Sequence, residues 1–251
     1  MVTRDPNPDP APAPAGCFAT THWSVVLAAG HGSETAAGQA LETLCQTYWY
    51  PIYAYVRRRG YRVEDAQDLT QEFFAMLLRR NDFSRPDPSR GRFRSFLLTA
   101  LNHFLTSDWQ HRHTQRRGGG YAFRSWDHAE AERRYATEPE SALTPEKLFE
   151  RRWAAALLEQ VMARLQAECR ANGKIDVFEA LKDSLWGQRT SPGYAELARR
   201  WDTTDDAIRA MAYRLRQRYR ALIHAEIAQT VSSPEEIEAE VRNLVHALSE
   251  S

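Results

Sequence analysis

Two kinds of charged side chain recur in this sequence at spacings that could do chemistry, and the chemistry they suit is binding. Carboxylates come first. Glu64, Asp65, Asp68 and Glu72 fall within nine residues, and on a helix Asp65, Asp68 and Glu72 share one face, with Gln71 beside them. A ridge of that kind can grip a cationic surface on another macromolecule. Guanidinium groups follow: from Arg90 to Arg117 the chain carries six arginines against one acid, Asp108, a ratio suited to a polyanion such as nucleic acid.

The residue types that usually catalyse lack the spacing for it. Gly30-His31-Gly32-Ser33 does not match Gly-x-Ser-x-Gly and follows no strand pattern, so it reads as a linker. His111 and His113 point apart on a helix and have no Cys or Glu at ligand spacing, so no metal is assigned. Gly118-Gly119-Gly120 follows no strand and opens no clear helix, which argues against a nucleotide loop. No acid cluster or nucleophile–base pair stands out, so no catalytic residue or cofactor is assigned and an enzyme such as a nuclease is disfavoured.

Helices must position these charges. Ala66, Leu69, Phe73 and Leu77 form the inward stripe of an acidic helix over 64–78. Before it, Leu41, Leu44, Tyr48, Ile52, Tyr55 and Val56 predict a helix over 36–59, kinked at Pro51 and capped by Gly60. A loop set by Pro86 and Pro88 spans 82–89. Then Phe93, Phe96, Leu97, Ala100, Leu101, Phe104 and Leu105 give a second stripe. That leaves Arg92, Arg94, Asn102 and His103 outward, and past a break near Ser107 it leaves Trp109, Arg112, Arg116 and Arg117. Trp109 suits either stacking on a base or packing between helices.

The second half starts at Thr144-Pro145-Glu146, a capping hydroxyl, a first-turn proline and an acid. Trp153, Leu157, Leu158, Val161, Met162, Leu165 and Cys169 carry a long helix to Asn172-Gly173, and a shorter one ends at Gly187. From Ser191 to Arg209, two short helices meet at a tight turn, with Leu197, Ala198, Trp201, Ala207, Ile208, Met211 and Leu215 as core and Thr204 as cap: a helix-turn-helix pattern. Its second helix presents Asp205, Asp206, Arg209, Tyr213 and Arg214, with Arg216, Arg218 and Arg220 beyond for phosphates. Ser233-Pro234-Glu235-Glu236 opens an acidic helix with Ile237, Val241, Leu244, Val245 and Leu248 apolar. Folding back on the arginines and binding a regulator are both open to it.

The 251 residues carry thirty-three basic and thirty-three acidic side chains, so the net charge says little and the segregation says more. Three widely spaced cysteines, Cys17, Cys45 and Cys169, make no disulfide framework, and reducing cytoplasm is the expected compartment. No apolar run approaches a membrane span, and the Asp- and Pro-rich start is unlike a signal peptide. The expected architecture is all-α with two helical domains. A disordered tail occupies 1–16, with a short docking helix near 20–27, and the first domain covers 17–117. A flexible linker with one helical turn covers 118–143, the helix-turn-helix domain 144–231, and an acidic extension 232–251.

Asp68-Leu69 with Gln71-Glu72 and Phe74, then Phe93-Arg94-Ser95-Phe96-Leu97, then Asn102 and Asp108 before an arginine cluster, resembles region 2 of bacterial sigma factors of the extracytoplasmic-function, sigma-70-like family. The later helix-turn-helix resembles their region 4, and together the likeness covers about 36–117 and 145–225. It implies an alternative sigma factor that binds core RNA polymerase, recognises promoter DNA and helps to melt it. Asp68, Gln71 and Glu72, with Asp65 beside them, would dock the polymerase coiled-coil clamp. Asn102, Asp108, Trp109, Arg112, Arg116 and Arg117 would serve the downstream element, with Asp108 orienting arginines, and Arg209, Tyr213, Arg214 and Arg216 would read the upstream one. An anti-sigma protein or a serine/threonine kinase is the kind of regulator such factors have. Two departures are notable: Asp202 where the turn usually has glycine, and Asp205 and Asp206 where carboxylates would repel phosphate. The rival reading is a helix-turn-helix regulator that acts without recruiting polymerase.

Overall fold

Single residues set several of the helix boundaries. Thr144 accepts a hydrogen bond from the Lys147 N–H at 3.3 Å and Pro145 fills the first helical position, so an orphan donor is satisfied where the missing proline donor costs nothing. That helix runs to Ala171 and stops at Asn172 and Gly173, the latter at φ 64. Gly60, at φ 91, ends an earlier helix in the same left-handed way.

The computed structural model describes residues 47–79, 92–112, 128–137, 143–186, 193–231 and 233–249. In chain order these form α1 (47–58), α2 (Val63–Arg79), α3 (Phe93–Arg112), α4 (His128–Thr137), α5 (Pro145–Ala171), α6 (Ile175–Leu181), a 3-10 turn (Lys182–Trp186), α7 (Tyr194–Arg200), α8 (Asp205–Ala228), a second 3-10 turn (Pro234–Glu236) and α9 (Ile237–Ser249). Among the described residues there is no strand, as an all-α chain requires. The expected tail 1–16, the docking helix near 20–27, Gly30–Ser33, the first part of the 36–59 helix, the loop 82–89 and Gly118–Gly120 lie outside the described residues. α1 stays helical through Pro51, which is buried.

The stripes close as their periodicity requires. Ala66, Leu69, Phe73 and Leu77 of α2 are all 2 % exposed or less, packed with Tyr48, Ile52 and Val56 of α1 and Phe93, Leu97 and Leu101 of α3. α5 carries this cluster onward through Phe149, Trp153, Leu157 and Val161 to Ile208, Leu215 and Leu222 of α8 and Leu244 of α9. One apolar cluster therefore runs from α1–α3 through α5 to α8 and α9. Polar contacts link the same elements, including Thr47 Oγ1 to Gln160 Oε1 at 2.8 Å.

Part of the expected linker is a strap. Residues 128–137 form a ten-residue helix, α4, longer than the single turn predicted. Its Glu132 accepts from Tyr53 and from Arg57, at 3.1 and 2.9 Å for the two guanidinium nitrogens, while Arg134 donates to Glu159 on α5 at 2.7 Å. Partial burial works against the Glu132 charge, but the Arg57 and Tyr53 donors outweigh it and hold the carboxyl below its ordinary range. The stripe of α9 also differs from the prediction: Val245 is 59 % exposed and Glu240 is buried.

Candidate functional site

The inward stripe of α2 decides where its acids go. With Leu69 and Phe73 buried, Asp68 and Glu72, one turn apart, are exposed, and Asp65 and Gln71 flank them half-exposed. These four side chains form a ridge on one side of a helix whose other side is closed by core. A ridge of this type binds a basic surface through charge-assisted hydrogen bonds.

On α3 the arginines behave differently from the prediction. Arg94, expected to point outward, is 3 % exposed, with its guanidinium 4.6 Å from the Trp153 ring and bonded to Glu240 of α9 at 2.5 Å. Arg92 reaches the other oxygen of the same carboxylate at 2.8 Å. Burying a guanidinium demands a partner charge, and Glu240, itself 1 % exposed, supplies it. Asn102 is likewise engaged within the fold, with its Oδ1 2.9 Å from the Tyr55 hydroxyl, which also lies 3.1 Å from Glu146 Oε1. Having one proton, that hydroxyl donates to one oxygen at a time. His103 stays exposed, and Phe104 is core-packed, its ring 5.8 Å from that of Phe73. The break expected near Ser107 is absent, because α3 continues to Arg112. The side chains of Asp108, Trp109 and Arg112, and all of Arg116 and Arg117, lie outside the described residues.

Two helices meet at a turn where the helix-turn-helix pattern places one, but only α7 is short: α8 runs for 24 residues. Leu197 and Ala198 of α7 and Ile208, Ala212 and Leu215 of α8 close its core. Asp202 takes φ 49 in the turn, and the Thr204 hydroxyl caps α8 by accepting from the Ala207 N–H at 3.2 Å. With that core fixed, Arg209, Tyr213, Arg216 and Arg220 recur on one side of α8 at steps of four, three and four. Arg209, Tyr213 and Arg220 are exposed, Tyr213 at 59 %, and Arg216 is half-exposed. Arg214 is exposed beside this stripe. No family model, curated protein or solved structure matches this chain.

Two neighbours of the stripe refine it. Asp205 reaches along the helix to Arg209, at 3.5 Å, which softens the repulsion that a carboxylate at the N-terminus of α8 would exert on phosphate. Asp206 is exposed. Arg218, expected among the phosphate contacts, is instead held by Glu168 of α5 through two 2.7 Å bonds. The Arg218 donors, with Arg164 close by, hold the Glu168 carboxyl below its ordinary range.

Sequence reasoning missed Glu240 and Glu132. The signal for Glu240 was present: it stands three residues after Ile237 and four before Leu244, on the inward stripe, where a carboxylate needs a buried cation. Among the described residues, no group of His, Cys, Asp and Glu side chains could hold a metal ion, and no helix is long and apolar enough to cross a membrane.

Proposed function

We propose that this protein is an alternative sigma factor of the cytoplasm, which binds core RNA polymerase through the α2 ridge and promoter DNA through α8. The observation that carries the reading is the coexistence of two outward surfaces of opposite charge, Asp68 with Glu72 on α2 and Arg209, Tyr213 and Arg216 on α8. A regulator that only binds DNA has use for the second surface and no evident use for the first. The helix-turn-helix supports groove entry: a capped helix with arginines and a tyrosine on its free side can set donors against base edges and phosphates. Asp65 and Gln71 belong to the polymerase ridge by their position, and Arg214 to the edge of the DNA surface. Asn102 serves the fold first, through Tyr55.

The test is capture of purified core polymerase followed by run-off transcription on a promoter library. The wild-type chain is expected to bind core enzyme and direct initiation, and the double variant Asp68→Arg/Glu72→Arg to lose both while still binding DNA. Capture that survives the double variant moves the polymerase surface elsewhere. DNA binding with no polymerase capture by the wild type makes the protein a helix-turn-helix regulator.

A further inference from the structure

We infer that α9 is an intramolecular latch: Glu240 occupies Arg92 and Arg94 in the place of a polyanion's phosphate, and displacing α9 frees these arginines for nucleic acid. The inference rests on the DNA-binding half of the proposed function and is independent of polymerase.

The geometry is that of an occupied anion site. One carboxylate, 1 % exposed, meets Arg94 Nη1 with Oε1 and Arg92 Nε with Oε2, and Asn243 Nδ2 lies 3.2 Å from Oε2. The two oxygens of this carboxylate occupy guanidinium donors on Arg92 and Arg94 that a phosphate could take in the same way. Arg94 is also held by parts that do not belong to α9. The Trp153 ring lies under its guanidinium and Glu150 Oε1 is 3.5 Å from its Nε, so it stays oriented when α9 departs.

Physical economy points the same way. A buried ion pair is seldom more stabilising than apolar side chains of equal volume, so a helix that needed only to stay in place would do so equally well with apolar side chains at both Arg94 and Glu240. An ion pair differs in being exchangeable, because an external anion can replace the internal one. α9 is also held by an apolar face, Leu244 and Ala247 with Ile237, Val241 and Leu248 at its edges, and by Glu238, 3.6 Å from His224 of α8, while Val245 and His246 are exposed. One backbone bond, from the Phe93 N–H to the Thr230 carbonyl at 3.1 Å, ties the start of α3 to the segment before α9. Movement of α9 would therefore act directly on the first turn of α3.

The experiment measures binding of a fluorescein-labelled random-sequence DNA duplex to the full chain over a series of salt concentrations. Glu240→Gln keeps the shape and removes the charge. It is expected to bind several-fold tighter than wild type, with a log affinity against log salt slope steeper by roughly one to two units, and Arg92→Ala added to it should remove about one unit. Unchanged affinity and slope in a Glu240→Gln protein with wild-type circular dichroism overturn the latch. Should that variant not fold, hydrogen exchange on the wild type decides. Residues 237–249 are expected to lose protection at saturating duplex, and retained protection at saturation, or no binding by the wild type, overturns the inference. A failed latch leaves polymerase capture through Asp68 and Glu72 untouched, so the two ideas fail separately.

Discussion

Arg94 on α3 and Arg209 on α8 are both arginines in clusters that outnumber their local acids, yet the side chain of one is 4 % exposed and that of the other 65 %. The acid that answers each explains the difference. Asp205 comes from the same helix one turn earlier and leaves the guanidinium of Arg209 in water, where the pair is weak and open to exchange. Glu240 comes from a different helix and lies over Arg94, so pairing and burial arrive together. A count of charge along the chain treats the two clusters alike. Which one is available to a ligand is decided by the origin of the counter-charge.

The largest expected effect breaks the comparison if it is absent. Glu240→Ala strands a buried guanidinium and should cost about 3–5 kcal/mol in denaturant unfolding, whereas Asp205→Ala should stay within about 0.5 kcal/mol. Equal costs would mean that the Arg94 site relaxes into water and that burial was not the distinction. Next, Arg209→Ala and Arg216→Ala should each reduce the salt slope of duplex binding by about one unit, with unfolding midpoints close to wild type. A slope that does not move would remove α8 from the DNA surface.

A smaller effect sharpens the role of the helix beneath the exposed cluster. Thr204→Ala removes the hydroxyl that caps α8 and should lower stability by about 1 kcal/mol, read by thermal unfolding; no change would mean that water replaces the cap. The smallest concerns Arg218, the α8 arginine whose acid, Glu168, lies on α5. Because the Glu168 carboxyl is held below its ordinary range in the folded chain, its contribution is present above the unfolded carboxyl pKa and fades as pH falls through the lowered value. Both partners are partly exposed, so Arg218→Ala should cost about 0.5 kcal/mol or less at neutral pH. The gap from wild type should narrow on acidification, and a gap that widens would contradict the assigned pairing.

Local signals carried much of the fold. The stripe of Ala66, Leu69, Phe73 and Leu77, the caps Thr144 and Thr204 and the glycines Gly60 and Gly173 each act within a few residues, so periodicity and cap chemistry suffice to read them. The outward placement of Asp68 and Glu72 followed from the same stripe. What escaped was non-local: Glu240 and Arg94 are 146 residues apart, Glu168 and Arg218 are 50 apart, and Tyr55 and Asn102 are 47 apart. The missed continuity of α3 near Ser107 has a local side: the neighbouring Thr106 returns its hydroxyl to the Asn102 carbonyl at 2.8 Å, a bond made within the helix. α4 looked like linker because its composition is polar, and its position is set by docking Glu132 against Tyr53 and Arg57.

The span between Arg94 and Glu240 bears on how the protein is born. At ~5–20 residues synthesised per second, the separation of 146 residues takes roughly 7–30 s to translate. Throughout that interval the nascent amino-terminal bundle holds a cation whose buried mate, Glu240, has not yet been translated. The bundle must keep that side chain hydrated or lend it to Glu150, and its final packing becomes one of the last events in the making of the molecule.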